Sequence, residues 1–100
     1  MADLEIERDP AGETLRLSGE VDMATAPRLR AALDELIESG SETVVLDCRE
    51  LSFLDSSGIG VLVAARTRMG DGGVLVIDSP PPNVRKVLEI TGVTGHLTVR

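Results

Sequence analysis

The residues best placed for chemistry are Asp55-Ser56-Ser57-Gly58, which join an apolar stretch to an amphipathic one. Upstream, Val44-Val45-Leu46 ends in polar Asp47, and a loop containing Leu51-Ser52-Phe53-Leu54 is expected to follow. Downstream, a helix is expected from Ser56. Strand, loop and helix in that order put two hydroxyls at a helix start, exposed at one end of a sheet. The first turn of a helix has N–H groups without intrahelical partners and the positive end of the helix dipole. Asp55, Ser56 and Ser57 can each accept a bond from those groups, so one reading is that they cap the helix. The other is that one hydroxyl accepts phosphate. A phosphoserine carries about −1.5 to −2 charges, which a helix N-terminus can tolerate.

Other chemistries fail on spacing. Gly58-Ile59-Gly60 begins a dinucleotide fingerprint, but Val63 stands where its third glycine belongs. There is no phosphate-binding G-x-x-x-x-G-K-[ST]. The nucleophile elbow G-x-S-x-G fails because Leu54 and Asp55 occupy the first glycine positions for Ser56 and Ser57. His96 is the single histidine, near the other terminus, and reads as a surface residue. With Cys48 it makes no metal set, and no catalytic carboxylate pair stands out. Neither an enzyme nor a cofactor is implied.

Composition narrows the class further. The net charge of −7 argues against a nucleic-acid backbone as a direct partner. Phe53, the lone aromatic, leaves no base-stacking platform and an aliphatic core. One hundred residues suit one domain, able to bury about 60–70% of its unfolded surface. No stretch has the length of a membrane span, and the acidic start MADLEIERDP lacks a secretory apolar core. Lone Cys48 reads as a small buried hydrophobe in a reducing cytoplasm.

The elements that must position the serines follow from periodicity. Leu4 to Arg8 and Thr14 to Ser18 alternate apolar and polar, a hairpin turning at Asp9-Pro10-Ala11-Gly12. Gly19 ends or bends the second strand, and Glu20 to Met23 leads out, with Glu20 and Asp22 as solvated loop acids. A helix opens at Thr25 or Ala26 with Pro27 in its first turn, and Leu29, Ala32, Leu33, Leu36 and Ile37 form its stripe before Ser39-Gly40. Thr43 to Leu46 reads as a central strand. The second helix spans Ser56 to Met69, with Ile59, Leu62, Val63 and Met69 inward. Gly58 and Gly60 each cost it about 1 kcal/mol against Ala. They imply close approach by another backbone or a partner, or close packing on the sheet. Val74 to Ile77 is a second fully buried strand, Asn83 to Thr91 a short helix with Val84, Val87, Leu88 and Ile90 as inward candidates, and Leu97 to Val99 a last strand. The expectation is an α/β domain over residues 1–100, ordered β-β-α-β-α-β-α-β, with a mixed sheet of about five strands and parallel crossovers.

This arrangement resembles the STAS domains, and among them the bacterial anti-sigma factor antagonists. The resemblance is carried by Leu17-Ser18-Gly19-Glu20-Val21-Asp22, Val45-Leu46-Asp47 and Leu51-Ser52-Phe53-Leu54-Asp55-Ser56-Ser57-Gly58-Ile59-Gly60-Val61-Leu62. Gly72-Gly73, the Val84 to Leu88 helix and Thr91-Gly92-Val93 follow in family order. The resemblance implies a partner switch in bacterial transcription, not an enzyme. Such an antagonist binds an anti-sigma factor that is also a serine kinase, frees a sigma factor, is phosphorylated and released, and is reset by a serine phosphatase. The family's acceptor, the first serine after the aspartate, falls on Ser56. Asp55 and Ser57 match its neighbours, Gly58 and Gly60 would let the partner approach, and Asp22 would lie at the same sheet end. Many family members carry a further helix after the last strand, which these residues do not include. STAS domains also serve as constitutive subunits of signalling or lipid-transport complexes, in which the serines would be caps alone.

Overall fold

The computed structural model describes residues 3–10 and 12–100. Ala11 of the expected hairpin turn lies outside them, as do Met1 and Ala2. The order is β1 (Leu4–Arg8), β2 (Thr14–Val21), α1 (Ala26–Glu38), β3 (Thr43–Leu54), α2 (Ser56–Met69), β4 (Val74–Asp78), α3 (Pro82–Ile90), a 3-10 turn (Val93–Gly95) and β5 (Thr98–Val99). The strands lie in the sheet in chain order. β1 runs antiparallel to β2, whereas β2, β3, β4 and β5 are mutually parallel.

The largest departure from expectation is β3. It was expected to stop at Leu46 and continues through the supposed loop to Leu54. The physical reason is its register against β2. Between the pairs Arg16↔Asp47 and Ser18↔Glu50, and again between Gly19↔Leu51 and Glu20↔Phe53, β3 contains one residue more than β2. Each extra residue is a bulge that reverses which face the following side chains occupy. Leu46, Cys48, Leu51 and Leu54 are therefore all buried although their spacing changes from two to three. Alternation was lost in the sequence while the strand continued. β2 is likewise longer, running past Gly19 to Val21. Gly19 has φ +107°, and a Cβ there would overlap the Asp3 carbonyl oxygen.

One sheet face carries the core. Leu15 and Leu17 of β2, Val44 and Leu46 of β3 and Leu75 and Ile77 of β4 meet Leu29, Leu33 and Leu36 of α1, Ile59, Leu62 and Ala65 of α2, and Val84 and Leu88 of α3. Removing a leucine side chain from water contributes about 2 kcal/mol. α1 and α2 pack on each other and α3 packs on β3. Arg68 of α2 and Asp34 of α1 form an ion pair between the first two. Two edges of the expectation fail. Val74 is partly exposed, and Ile90, an inward candidate, is 74% exposed because it ends α3 beyond the sheet. Cys48 is buried and His96 exposed, as expected.

The opposite face is charged. Glu7, Arg16, Asp47 and Asp78 are register partners across four strands. Asp47 is buried, and the Arg49 fork covers it, donating from Nε to Oδ1 at 3.1 Å and from a terminal nitrogen to Oδ2 at 2.8 Å. The Arg49 hydrogen bond holds the Asp47 carboxyl below its ordinary value, against the opposing effect of burial. A carboxyl with a lowered folded pKa stabilises the fold above the unfolded value of about 4 and loses that contribution as pH falls through the folded value. Asp47→Asn is expected to lower stability by about 1 kcal/mol at pH 7, with the gap from wild type closing towards pH 3. Urea unfolding at the two pH values measures it.

Candidate functional site

β2 and β3 run parallel, so both end at the same edge of the sheet. Val21 pairs with Leu54, and the Asp55 N–H donates to the Val21 carbonyl at 3.2 Å. Asp22 and Asp55 are the first residues beyond their strands, and they make matching bonds. Asp55 Oδ1 accepts from the N–H groups of Ser57 at 2.9 Å and Gly58 at 3.3 Å. Asp22 Oδ1 accepts from Ala24 N–H at 2.9 Å and Thr25 N–H at 3.0 Å. The buried Thr25 hydroxyl donates to the Glu20 carbonyl at 2.8 Å and accepts from Asp22 N–H at 3.0 Å. Each aspartate thus fastens a strand end to the start of the next helix. Asp22 is half-buried and engaged rather than a solvated loop acid. Asp22-x-x-Thr25 is the signal that could have shown this, since both residue types bond nearby backbone in turns.

The cap of α2 belongs to Asp55 and not to either serine. Ser56 is the first helical residue and is exposed, and Ser57 is half-buried. Capping therefore does not account for a hydroxyl at position 56. Two N–H groups that would receive an anion at this helix end are also committed to Asp55. A phosphate on Ser56 would stand outside them, beside carboxylates.

The two glycines separate. Gly58 is buried, and a Cβ there would overlap Leu54 Cδ1 and come 2.7 Å from Val21 Cγ1. Packing on the ends of β2 and β3 explains Gly58, not open access for a partner. Gly60 is exposed, with nothing within 4 Å of an added Cβ. Asp22, Asp55, Ser56, Ser57 and Gly60 are thus brought to one end of the sheet, with Gly58 beneath them. Two further ties hold that end: Ser52 Oγ donates to the Gly19 carbonyl at 2.9 Å, and Asn83 Nδ2 at the start of α3 donates to the Ser52 carbonyl at 2.8 Å. Cys48 takes no part. Burial pushes its thiol up to about 12, so it is not a thiolate at neutral pH.

Residues 4–99 match the family model described as "Mlab, STAS domain". The chain belongs to the STAS domain family. This STAS domain is 33% identical over 91 residues to an anti-sigma F factor antagonist of Paenibacillus polymyxa, covering 89% of this chain and 78% of that protein. It is similar to the solved structure of the anti-sigma factor antagonist SpoIIAA in its unphosphorylated form, with a TM-score of 0.73, 28% identity and coverage of 98% of this chain and 88% of that one. It is also similar to the Bacillus cell fate determinant SpoIIAA in the phosphorylated form, with a TM-score of 0.69, 25% identity and coverage of 98% and 91%. Among the described residues, no helix of the STAS domain is long and apolar enough to cross a membrane.

The glycines predict opposite effects on the domain. Gly58→Ala is expected to cost about 1–3 kcal/mol through overpacking against Val21 and Leu54. Gly60→Ala is expected to stabilise by about 0.5–1 kcal/mol, because the exposed helix position has room for a methyl group. Thermal unfolding followed by circular dichroism should move the midpoint down for the first and up for the second.

Proposed function

We propose that this STAS domain is an anti-sigma factor antagonist whose partner contact is switched by phosphorylation of Ser56. The observation that carries the reading is the exposed Ser56 hydroxyl at the first position of α2, where Asp55 and not a serine makes the cap. The names of the relatives support it. The partner is an anti-sigma factor with serine kinase activity, and a serine phosphatase restores the free hydroxyl. Neither step needs a catalytic group from this chain.

Unphosphorylated, the surface of Ser56, Ser57 and Gly60, framed by Asp22 and Asp55, lets the partner's backbone come close. Phosphate adds about −1.5 to −2 charges and three acceptor oxygens to that contact. Asp55 has already taken the Ser57 and Gly58 N–H groups at the helix start, so the anion keeps its water or must be desolvated beside carboxylates. Leaving a charge buried and unpaired costs several kcal/mol, and every 1.4 kcal/mol is a factor of ten in affinity. The switch works at the surface and leaves the fold intact, because the core ends beneath Gly58. Sigma factor release follows from competition for the same partner.

Incubation of the purified chain with Mg-ATP and a soluble lysate of its own organism should add one phosphate, mapped by mass spectrometry to Ser56. The addition should be absent without lysate and in Ser56→Ala. Calorimetry against the kinase should show Ser56→Ala bound and not released by ATP, and Ser56→Asp bound at least about tenfold more weakly than wild type. Tight binding by Ser56→Asp would sink the charge account. A chain that binds its partner without ever receiving phosphate would be a constitutive STAS subunit instead.

A further inference from the structure

The core of this domain is aliphatic, and its lone aromatic is not in it. Phe53 stands 43% exposed on β3, and Met23, two residues beyond the end of β2, is 78% exposed. The bulge between Gly19↔Leu51 and Glu20↔Phe53 is what keeps Phe53 out. Leu51 and Leu54 on either side are buried, while Ser52 and Phe53 both face solvent. Without the extra residue, strict alternation from Leu51 would turn residue 53 to the core. The pairs Glu20↔Phe53 and Val21↔Leu54 set Met23, Phe53 and Ser56 at one end of the sheet.

We propose that Met23 and Phe53 are apolar anchors of the partner contact, and that the partner offers an apolar pocket ringed by Arg or Lys. The proposal rests on the reading of the Ser56 end as the contact surface and adds what grips it. Interface energy concentrates in a few large side chains, with aromatic residues prominent among them. Methionine suits such a place because its unbranched thioether adapts to the facing surface. The chemistry of the ring follows from charge. Residues 19–26 and 50–60, the two strand exits at this end, hold Glu20, Asp22, Glu50 and Asp55 and no Lys or Arg, while the start of α3, tied to Ser52, adds Arg85 and Lys86, so acidic groups outnumber basic ones. A partner with acidic groups facing them would be repelled, and one with cations would be attracted and steered. Those cations are matched to Glu20, Asp22 and Asp55, so a phosphate on Ser56 adds an anion with no cation left to pair with, and release follows from its unpaired charge as well as its bulk. Met23 and Phe53 share the sheet end with Ser56, so the bulk of the phosphate also stands in the contact that they anchor.

The probe is the kinase, purified from the chain's own organism by its Ser56-phosphorylating activity, in calorimetry at two salt concentrations. Phe53→Ser and Met23→Gln should each raise Kd by at least about tenfold, and Kd for wild type should rise with salt. Ile90→Gln is the control. Ile90 is 74% exposed but lies at the far end of α3, about 12 Å along the helix from its start beside Ser52. It should leave Kd within twofold. Met23 is 78% exposed, so Met23→Gln should leave the unfolding midpoint close to wild type, whereas Phe53→Ser, which loses partly covered surface, is measured well below its own midpoint. If the kinase phosphorylates Ser56 yet binds both anchor variants as tightly as wild type, the anchors are wrong and the switch stands. A wild-type Kd that does not rise with salt rejects the basic ring. If no activity in the lysate modifies Ser56, the switch falls, and the anchors fall with it.

Discussion

The parallel pairing of β2 with β3 is the constraint on which the rest depends. It brings the ends of two strands to the same edge, so the chain must leave that edge twice within a small area. Both exits are solved with the same chemistry. An aspartate immediately after the strand turns its carboxylate onto the N–H groups of the next segment, Asp22 towards α1 and Asp55 towards α2. The Asp55 N–H bond to the Val21 carbonyl carries the ladder one step past Leu54 before the helix begins. α1 and α2 therefore start from neighbouring points and can pack on one another across the core face.

The bulges in β3 are the second consequence. Two extra residues over the length of the pairing let Leu46, Cys48, Leu51 and Leu54 all reach the core. They also free backbone groups and expose side chains on the other side. The Gly19 and Ser52 carbonyls find partners in the Ser52 hydroxyl and the Asn83 amide, which ties the start of α3 to the same edge. The burial of Leu54 and the exposure of Phe53 are thus two results of the second bulge.

The arrangement divides labour within a stretch of six residues. Asp55 organises, Gly58 packs, and Ser56 and Gly60 face outward. The proposed phosphate on Ser56 would then change charge without disturbing a residue that holds the fold. The cap stays with a side chain that needs no modification, and the glycine with no room above it lies next to the buried Val21 and Leu54.

The sequence by itself determined the element order, the antiparallel start, the parallel remainder, the span of α2 and the position of the hydroxyls. These are written in local periods and in residues such as Pro27 and Gly40, whose effect does not depend on distant neighbours. The family resemblance could be read for the same reason, since its strongest segment, Leu51 to Gly60, is contiguous. Only the tertiary structure decided the length of β3, because a bulge is a relation between two strands and leaves the sequence of one strand looking aperiodic. It also decided which of three capping candidates caps. Asp55, Ser56 and Ser57 are near-equivalent locally, and the bond from Asp55 N–H to Val21 selects the first. The roles of Gly58 and Gly60 were equally undecided in sequence. What separates them is the presence of Leu54 and Val21 over one and open space over the other, and only a folded chain brings those atoms together.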